Sequence, residues 1–116
     1  MTIRDADVLQ HILKYCDEIE YTKTVMGDYT CFSTNSIYQN AIALCVLQIG
    51  ELTTHLTEDF RTTYTRVPWN QIKALRNIVA HDYGKIDVEI LWETLENDIP
   101  VLKKYCYEIL DEWEEK

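Results

Sequence analysis

The sequence predicts an all-α fold, a single-domain up-and-down helical bundle of four to five helices. Only three Gly and two Pro interrupt 116 residues. Apolar residues recur at helical spacing along most of the chain, and no segment keeps the alternation of a strand for long. This length suits one domain with a real core, so we expect residues 1–116 to fold as one unit.

The first predicted helix covers residues 5–26, and Gly27 is expected to end it. Residues 30–35 are short and polar, and Ser33 or Thr34 is a candidate cap for the next helix. The first helix carries a broad apolar stripe, which is typical of a helix packed on a core. Its members are Val8, Leu9, Ile12, Leu13, Tyr15, Cys16 and Ile19.

The second predicted helix extends to about His55 and is apolar on more than one side. Such a helix needs more than one neighbour. It is either the central helix of the bundle, or it buries one side against a second copy of the chain. One stripe contains Ile37, Ala41, Leu44, Cys45 and Leu52, and the other contains Ile42, Val46 and Ile49.

The third predicted helix follows residues 57–67, which have no clear period and are expected to form a loop or irregular turn. Pro68 fits the first position of this helix, where a missing N–H costs nothing. Gly84 is expected to end it.

The last helical pattern follows Asp87, a candidate cap, and continues to the end of the chain. Pro100 lies inside it, so we expect a kink or a short break there. The acidic end, about residues 111–116, is expected to fray.

The net charge of −9 and a pI near 4.6 argue against a nucleic acid or an anionic membrane as partner. The charge is unevenly distributed, however. Residues 61–85 hold five Lys and Arg against one Asp, a balance of +4, which leaves −13 for the remainder. Because phosphate binding depends on basic groups at the contact, this segment could still attract RNA.

The chain has no apolar run long enough to cross a membrane, and its charged beginning does not resemble a signal peptide. We therefore expect a cytoplasmic protein. The four cysteines form no CxxC pair, and the three histidines are scattered. No metal or cofactor is expected, and the cysteines are interpreted as structural thiols.

Arg76 is the first candidate functional residue, because it interrupts an apolar stripe. At 100° per residue it lies within about 80° of Trp69, Ile72 and Val79. A guanidinium cannot be buried alone. Arg76 must therefore pair with a carboxylate such as Glu51, which would be a structural role, or open onto a cleft that accepts an anion.

His81 follows Asn77 by four residues, so the amide can orient the imidazole. It lies about 140° around the helix from Arg76, and both side chains can meet only at a helix end or across a subunit interface. The alternative is an ordinary surface or capping histidine. Tyr83 is expected to bring its hydroxyl near the imidazole, unless it is simply an amphipathic aromatic residue.

Residues 76–83 read Arg-Asn-Ile-Val-Ala-His-Asp-Tyr, an R-x4-H-x-Y pattern. This pattern resembles the HepT-like (DUF86) branch of the HEPN ribonuclease superfamily. The lead-in from Pro68-Trp69, the following Ile86-Asp87 and the Ile49-Gly50-Glu51 of the second helix are similar to that family too. The resemblance covers most of the chain.

The resemblance implies a homodimer that places two motifs side by side in an intersubunit cleft. It also implies the toxin of a type VII-like toxin–antitoxin pair, a metal-independent ribonuclease whose partner is an MNT-type nucleotidyltransferase antitoxin. Carried over by position, Arg76 and His81 would be the catalytic pair and Asn77 a supporting residue. Tyr83 would be the side chain that the partner modifies with AMP.

These residue types suit RNA cleavage, because His81 can move a proton near neutral pH and Arg76 can hold a phosphate. Two other functions stay open. The chain could be a non-catalytic helical adaptor that positions the substrate of a nucleotidyltransferase, or a structural dimer with a vestigial motif.

Overall fold

The computed structural model describes residues 1–80 and 87–114. All regular secondary structure in these residues is helical and no strand occurs among them, which confirms the predicted all-α class. Four long helical segments form the bundle, the last of which joins a six-residue helix to a longer one, and two further six-residue helices lie between the segments. In chain order the helices are α1 (Ile3–Met26), α2 (Tyr29–Thr34), α3 (Ser36–Thr53), α4 (Glu58–Thr63), α5 (Trp69–Ala80), α6 (Val88–Glu93) and α7 (Ile99–Glu114).

Helix α3 lies between α1 and α5, and α1 also packs against α7. This arrangement confirms that α3 needs more than one neighbour. One apolar core runs through the bundle, with buried side chains from each of the long helices, among them Ile12, Val46, Ile72 and Ile109. None of the helices in the described part of the chain is both long and apolar enough to cross a membrane.

Helix α1 begins at Ile3, two residues before the predicted start. Thr2 is its N-cap, and the side chains of Thr2 and Asp5 form a capping box with each other's backbone N–H groups. The helix therefore gains two residues at its start that apolar periodicity alone does not reveal. Gly27 ends α1 as predicted, with a φ of 85° that disfavours other residues.

Helix α2 occupies the segment that was expected to be a polar connection. Asp28 caps it by accepting a hydrogen bond from the Cys31 N–H. Phe32 is fully buried in the core, and its ring lies 5.5 Å from that of Trp92. The cap of α3 is Asn35, not Ser33 or Thr34, since both of these belong to α2.

Helix α4 corrects the prediction of a loop at residues 57–67. Thr57 caps it, and Phe60 is the one residue of α4 that is fully buried. The Phe60 ring packs 4.8 Å from Tyr64 and 5.5 Å from Trp69, measured between ring centroids. A single buried aromatic residue defines this helix, so no periodic pattern was visible in the sequence.

Helix α5 begins at Trp69, and Pro68 precedes it as the residue whose carbonyl accepts the first helical hydrogen bond, from Ile72. Pro68 thus lies one position earlier than predicted. The stop expected at Gly84 falls outside the described residues.

The last helical stretch begins at the predicted cap, Asp87. A π-helical segment, Thr94–Asp98, joins α6 to α7 directly before Pro100. Pro100 has no backbone N–H, so it cannot donate the regular helical hydrogen bond to the carbonyl oxygen of residue 96. The wider π-helical turn accommodates this missing hydrogen bond. The disruption expected at Pro100 takes this form. Helix α7 continues to Glu114, with Trp113 packed against the core.

Three of the four cysteines, Cys16, Cys45 and Cys106, are buried in the core. Burial raises the pKa of the Cys106 thiol to about 12, and burial together with Glu18 raises the pKa of Cys45 to about 12. Neutral, buried thiols pack as small apolar groups, in agreement with the structural role predicted for them.

Asp5 is the one fully buried carboxylate in the described part of the chain. Its oxygens accept hydrogen bonds from the backbone N–H of Thr57 at 2.8 Å and from the Thr57 hydroxyl at 2.9 Å. Thr2 donates two more, from its N–H at 3.1 Å and its hydroxyl at 3.0 Å. Asp5 therefore ties the beginning of α1 to the beginning of α4. Burial opposes ionisation, but these hydrogen bonds outweigh it and lower the pKa of Asp5.

We predict that Asp5→Asn destabilises the fold by about 2 kcal/mol at neutral pH, because a charged acceptor with several donors is lost. The pKa of Asp5 is lower in the folded state than in the unfolded chain, where it is about 3.9. The ionised carboxylate therefore stabilises the fold at pH values above about 3.9, and this contribution disappears as the pH falls through the folded pKa. Urea unfolding at a series of pH values, from neutral into this acidic range, should therefore show the free energies of unfolding of the wild type and Asp5→Asn converging.

The matched control is Asp7→Asn, which removes an exposed carboxylate of the same helix. It should leave the stability nearly unchanged. Equal stability losses for Asp5→Asn at neutral and acidic pH would contradict the role given to the Asp5 carboxylate.

Candidate active site on α5

The beginning of α5 is fixed by aromatic packing. The Trp69 indole is almost fully buried, and its N–H donates to the carbonyl oxygen of Tyr64 at 3.0 Å. On the preceding turn, Arg66 pairs with Glu112 of α7 at 3.2 Å and lies 3.9 Å from Glu108. The helix that carries the candidate residues is thereby held at its start from two sides.

The buried face of α5 packs against α3, the most extensive helix pairing in the described residues. Ile72 and Leu75 are buried. Arg76 lies at the edge of this packed face, and 35% of its side chain is exposed. The apolar stripe predicted around Arg76 therefore borders the solvent at this position, and the guanidinium is not enclosed in the core.

Arg76 pairs with Glu51 of α3. Its Nη1 atom donates to Glu51 Oε1 at 3.1 Å, and 48% of the Glu51 side chain is exposed. The pairing expected with Glu51 is present, and it leaves the guanidinium partly open to solvent. Half-exposed pairs of this kind contribute little to stability, because water already solvates both charges. The pair therefore fixes the direction of the guanidinium more than it holds the fold together.

The remaining candidates divide into two groups. Asn77 is exposed on α5, next to Arg76. His81 and Tyr83 lie outside the described residues, so the structure brings Arg76 together with Glu51 but does not test the distance from Arg76 to His81. Gly50 was part of the family resemblance but was given no role, and it directly precedes Glu51 and contacts Arg76. A glycine inside a helical pattern was the available signal.

The local charge differs from the sequence count. Two of the five basic residues in 61–85, Arg66 and Arg76, are paired with glutamates from other helices. The positive balance of +4 is therefore partly neutralised in the fold. Lys73 is exposed on α5, one turn before Arg76, and adds positive charge along the same helix.

Within residues 1–80 and 87–114, no group of three or more His, Cys, Asp or Glu side chains could hold a metal ion. The arrangement at Arg76 suits an anion. A guanidinium has five N–H donors in a planar fork, and the contact with Glu51 occupies one nitrogen.

The surface of α3 next to this site is apolar. Ile37 is 75% exposed and Leu44 is 56% exposed, and Ala41 between them is exposed as well. At 100° per residue, these three positions and Glu51 fall within about 80° of one another. The side of α3 that presents Glu51 to Arg76 thus continues as an apolar stripe. Of the five residues predicted for this stripe, these three are left exposed within the subunit, whereas Cys45 is buried and Leu52 is partly buried.

The chain matches the family model described as ribonuclease HepT-like over residues 12–109. Among its relatives is a Methanocaldococcus jannaschii protein named as a candidate RNase, 38% identical over 76% of this chain and 79% of the relative. A second candidate RNase of that organism is 33% identical over 93% of this chain and 92% of the relative.

A relative from Thermococcus cleftensis, named as a candidate ribonuclease HepT, is 30% identical over 84% of this chain and 87% of the relative. No solved structure gives a significant match. The family match spans α3, the helix that carries Glu51, and α5, the helix that carries Arg76. The chain belongs to the HepT-like ribonuclease family.

Proposed function

We propose that this protein is a metal-independent RNA endonuclease, the toxin of a type VII-like toxin–antitoxin pair that acts in the cytoplasm. Membership of the HepT-like ribonuclease family supports the RNase class. The observation that carries the proposal is Arg76, an arginine oriented by Glu51 at the edge of the α3–α5 packing with a third of its side chain open to solvent. This is the geometry expected of a phosphate-binding group.

Arg76 and His81 divide the chemistry of RNA cleavage between them. The 2′-oxygen forms a bond to phosphorus, and the bond from phosphorus to the 5′-oxygen breaks. Histidine removes the proton from the 2′-hydroxyl or returns one to the leaving 5′-oxygen. Arg76 binds the non-bridging oxygens and stabilises the negative charge that grows on them. Asn77 orients the imidazole through a hydrogen bond.

A homodimer completes the site in this proposal. Arg76 and His81 lie about 140° apart on an ideal helix, so two adjacent copies supply both groups to one phosphate more readily than one copy does. The exposed apolar stripe of α3, defined by Ile37, Ala41 and Leu44, supports this arrangement, because it lies on the same side of α3 as Glu51. Burial of these side chains would favour association of two copies.

The proposed partner is an MNT-type nucleotidyltransferase antitoxin that modifies Tyr83. The phenolic oxygen attacks the α-phosphorus of ATP, the bond between the α- and β-phosphates breaks, and pyrophosphate leaves. The attached AMP places bulk and negative charge two residues from His81. RNA binding then weakens, because the added phosphate repels the phosphates of the substrate.

We predict that His81→Ala lowers the rate of RNA cleavage by about 10²- to 10⁴-fold, since a proton-transfer group is lost. Arg76→Ala should cost about 10²- to 10³-fold, because charge stabilisation is lost. Cleavage of total RNA and growth arrest on expression measure both effects.

The control is His11→Ala, which removes an exposed histidine of α1 far along the chain from the motif. It should cleave at the wild-type rate. Wild-type activity in His81→Ala would refute its catalytic role. RNA left intact by the wild-type protein, with the transferase still bound, would instead indicate the adaptor function.

Incubation with the cognate nucleotidyltransferase and ATP is predicted to add the mass of one adenylyl group per chain. Tyr83→Phe should abolish the addition, because it removes the attacking oxygen. Intact-mass spectrometry measures both proteins, and Tyr107→Phe, which alters an exposed tyrosine of α7, serves as the control. A mass shift that persists in Tyr83→Phe would exclude this residue as the acceptor.

Leu44→Glu is predicted to convert the dimer to a monomer, because it places a charge in the apolar stripe of α3. The exposure of Leu44 leaves the folded subunit intact. Analytical ultracentrifugation gives the mass in solution, with Val101→Glu on α7, at a residue 51% exposed, as the matched variant. Dissociation by Val101→Glu alone would place the interface elsewhere.

A further inference from the structure

Gly50 lies inside α3, buried among the residues that face the neighbouring helices. Glycine is a poor helix former, because the unfolded chain has more conformations to lose than it has with alanine. Its presence three residues before the end of an 18-residue helix therefore needs a reason in the packing.

The reason is the backbone of α5. A Cβ atom added to Gly50 would lie 2.9 Å from the backbone nitrogen of Arg76, 3.0 Å from Arg76 Cβ and 3.3 Å from the carbonyl oxygen of Lys73. Comfortable contact between carbon atoms needs about 3.5 Å or more. Two of these atoms belong to the backbone of α5, and the third is the Cβ atom of Arg76, the first atom of its side chain. They cannot swing away, so any side chain at position 50 pushes α5 outward at Arg76.

The next residue, Glu51, holds the other end of the same side chain through the 3.1 Å hydrogen bond to Arg76 Nη1. Two consecutive residues of α3 thus contact Arg76 at both ends. Gly50 sets how closely its backbone approaches α3, and Glu51 sets where its guanidinium points.

We propose that Gly50 and Glu51 are positioning residues for Arg76, with Gly50 fixing the depth of its backbone and Glu51 the direction of its guanidinium. The proposal rests on Arg76 as the phosphate-binding group of the RNA cleavage proposed above. Neither residue touches the substrate in this arrangement. A small displacement of Arg76 weakens its contact with the transition state, since positioning errors of about 1 Å can cost about 10²-fold in rate.

The first test is Gly50→Ala. Its kcat for RNA cleavage should fall about 10- to 100-fold, at a temperature where circular dichroism shows the variant fully folded. The Nε–Hε resonance of Arg76, assigned by its absence in Arg76→Lys, should shift in the NMR spectrum of the variant. In an Arg76→Ala background, Gly50→Ala should cause no further loss of activity, because the group that it displaces is gone.

The second variant, Glu51→Gln, keeps the glycine and changes a half-exposed side chain. It should fold with an unchanged Tm, lower kcat about 3- to 10-fold and shift the Arg76 resonance, because the charged acceptor is lost. This variant keeps the proposal testable if Gly50→Ala does not fold.

The control for a general loss of stability is Ile12→Val, at a fully buried position of α1. It should lower Tm but leave both kcat and the Arg76 resonance unchanged. A Gly50→Ala or Glu51→Gln protein that keeps the wild-type Arg76 resonance would overturn the proposal. A wild-type protein that cleaves no RNA would instead refute the proposed function, while the NMR arm still decides whether these residues position Arg76.

Discussion

The close approach of α3 and α5 at Gly50 is the constraint on which the arrangement of the candidate site depends. With no side chain at position 50, the backbone of Arg76 rests directly against α3, and Glu51 on the next position reaches its guanidinium. Because α3 also packs against α1, the position of Arg76 is connected to the main core of the bundle. An arginine held in this way enters a reaction with little reorganisation, which is the property that charge stabilisation requires.

Electrostatics make the proposed RNA site compatible with an acidic protein. Several basic residues are neutralised by acids from other helices, as in the Lys103 pair with Asp17 and the Lys23 pair with Glu96. These pairs join α1 to the last helical stretch, whereas Arg76 is paired at an edge that remains open to solvent. In the proposed function, an acidic surface elsewhere disfavours non-specific RNA binding and would confine productive contact to the exposed cations of α5.

The short helices fix the geometry from which α5 begins. Asp5 joins the start of α1 to the cap of α4, and Phe60 of α4 contacts the Trp69 ring at the start of α5. The buried carboxylate and the aromatic contacts thus connect the start of α1 to the start of α5, the helix that carries Arg76. This chain of contacts explains why a segment without helical periodicity is ordered, since its order comes from contacts made across the fold.

The sequence by itself determined the helical class, the stripe of α1, the caps at Gly27 and Asp87, and the family, because periodicity, capping chemistry and motif spacing are local properties. Only the tertiary structure decided that residues 30–35 and 57–67 contain helices, since one buried phenylalanine stabilises each. It also showed that Arg76 pairs with Glu51 while about a third of its side chain stays open to solvent. Contacts between residues 25 positions apart, such as that of Glu51 with Arg76, depend on how two helices meet, and no local pattern encodes that.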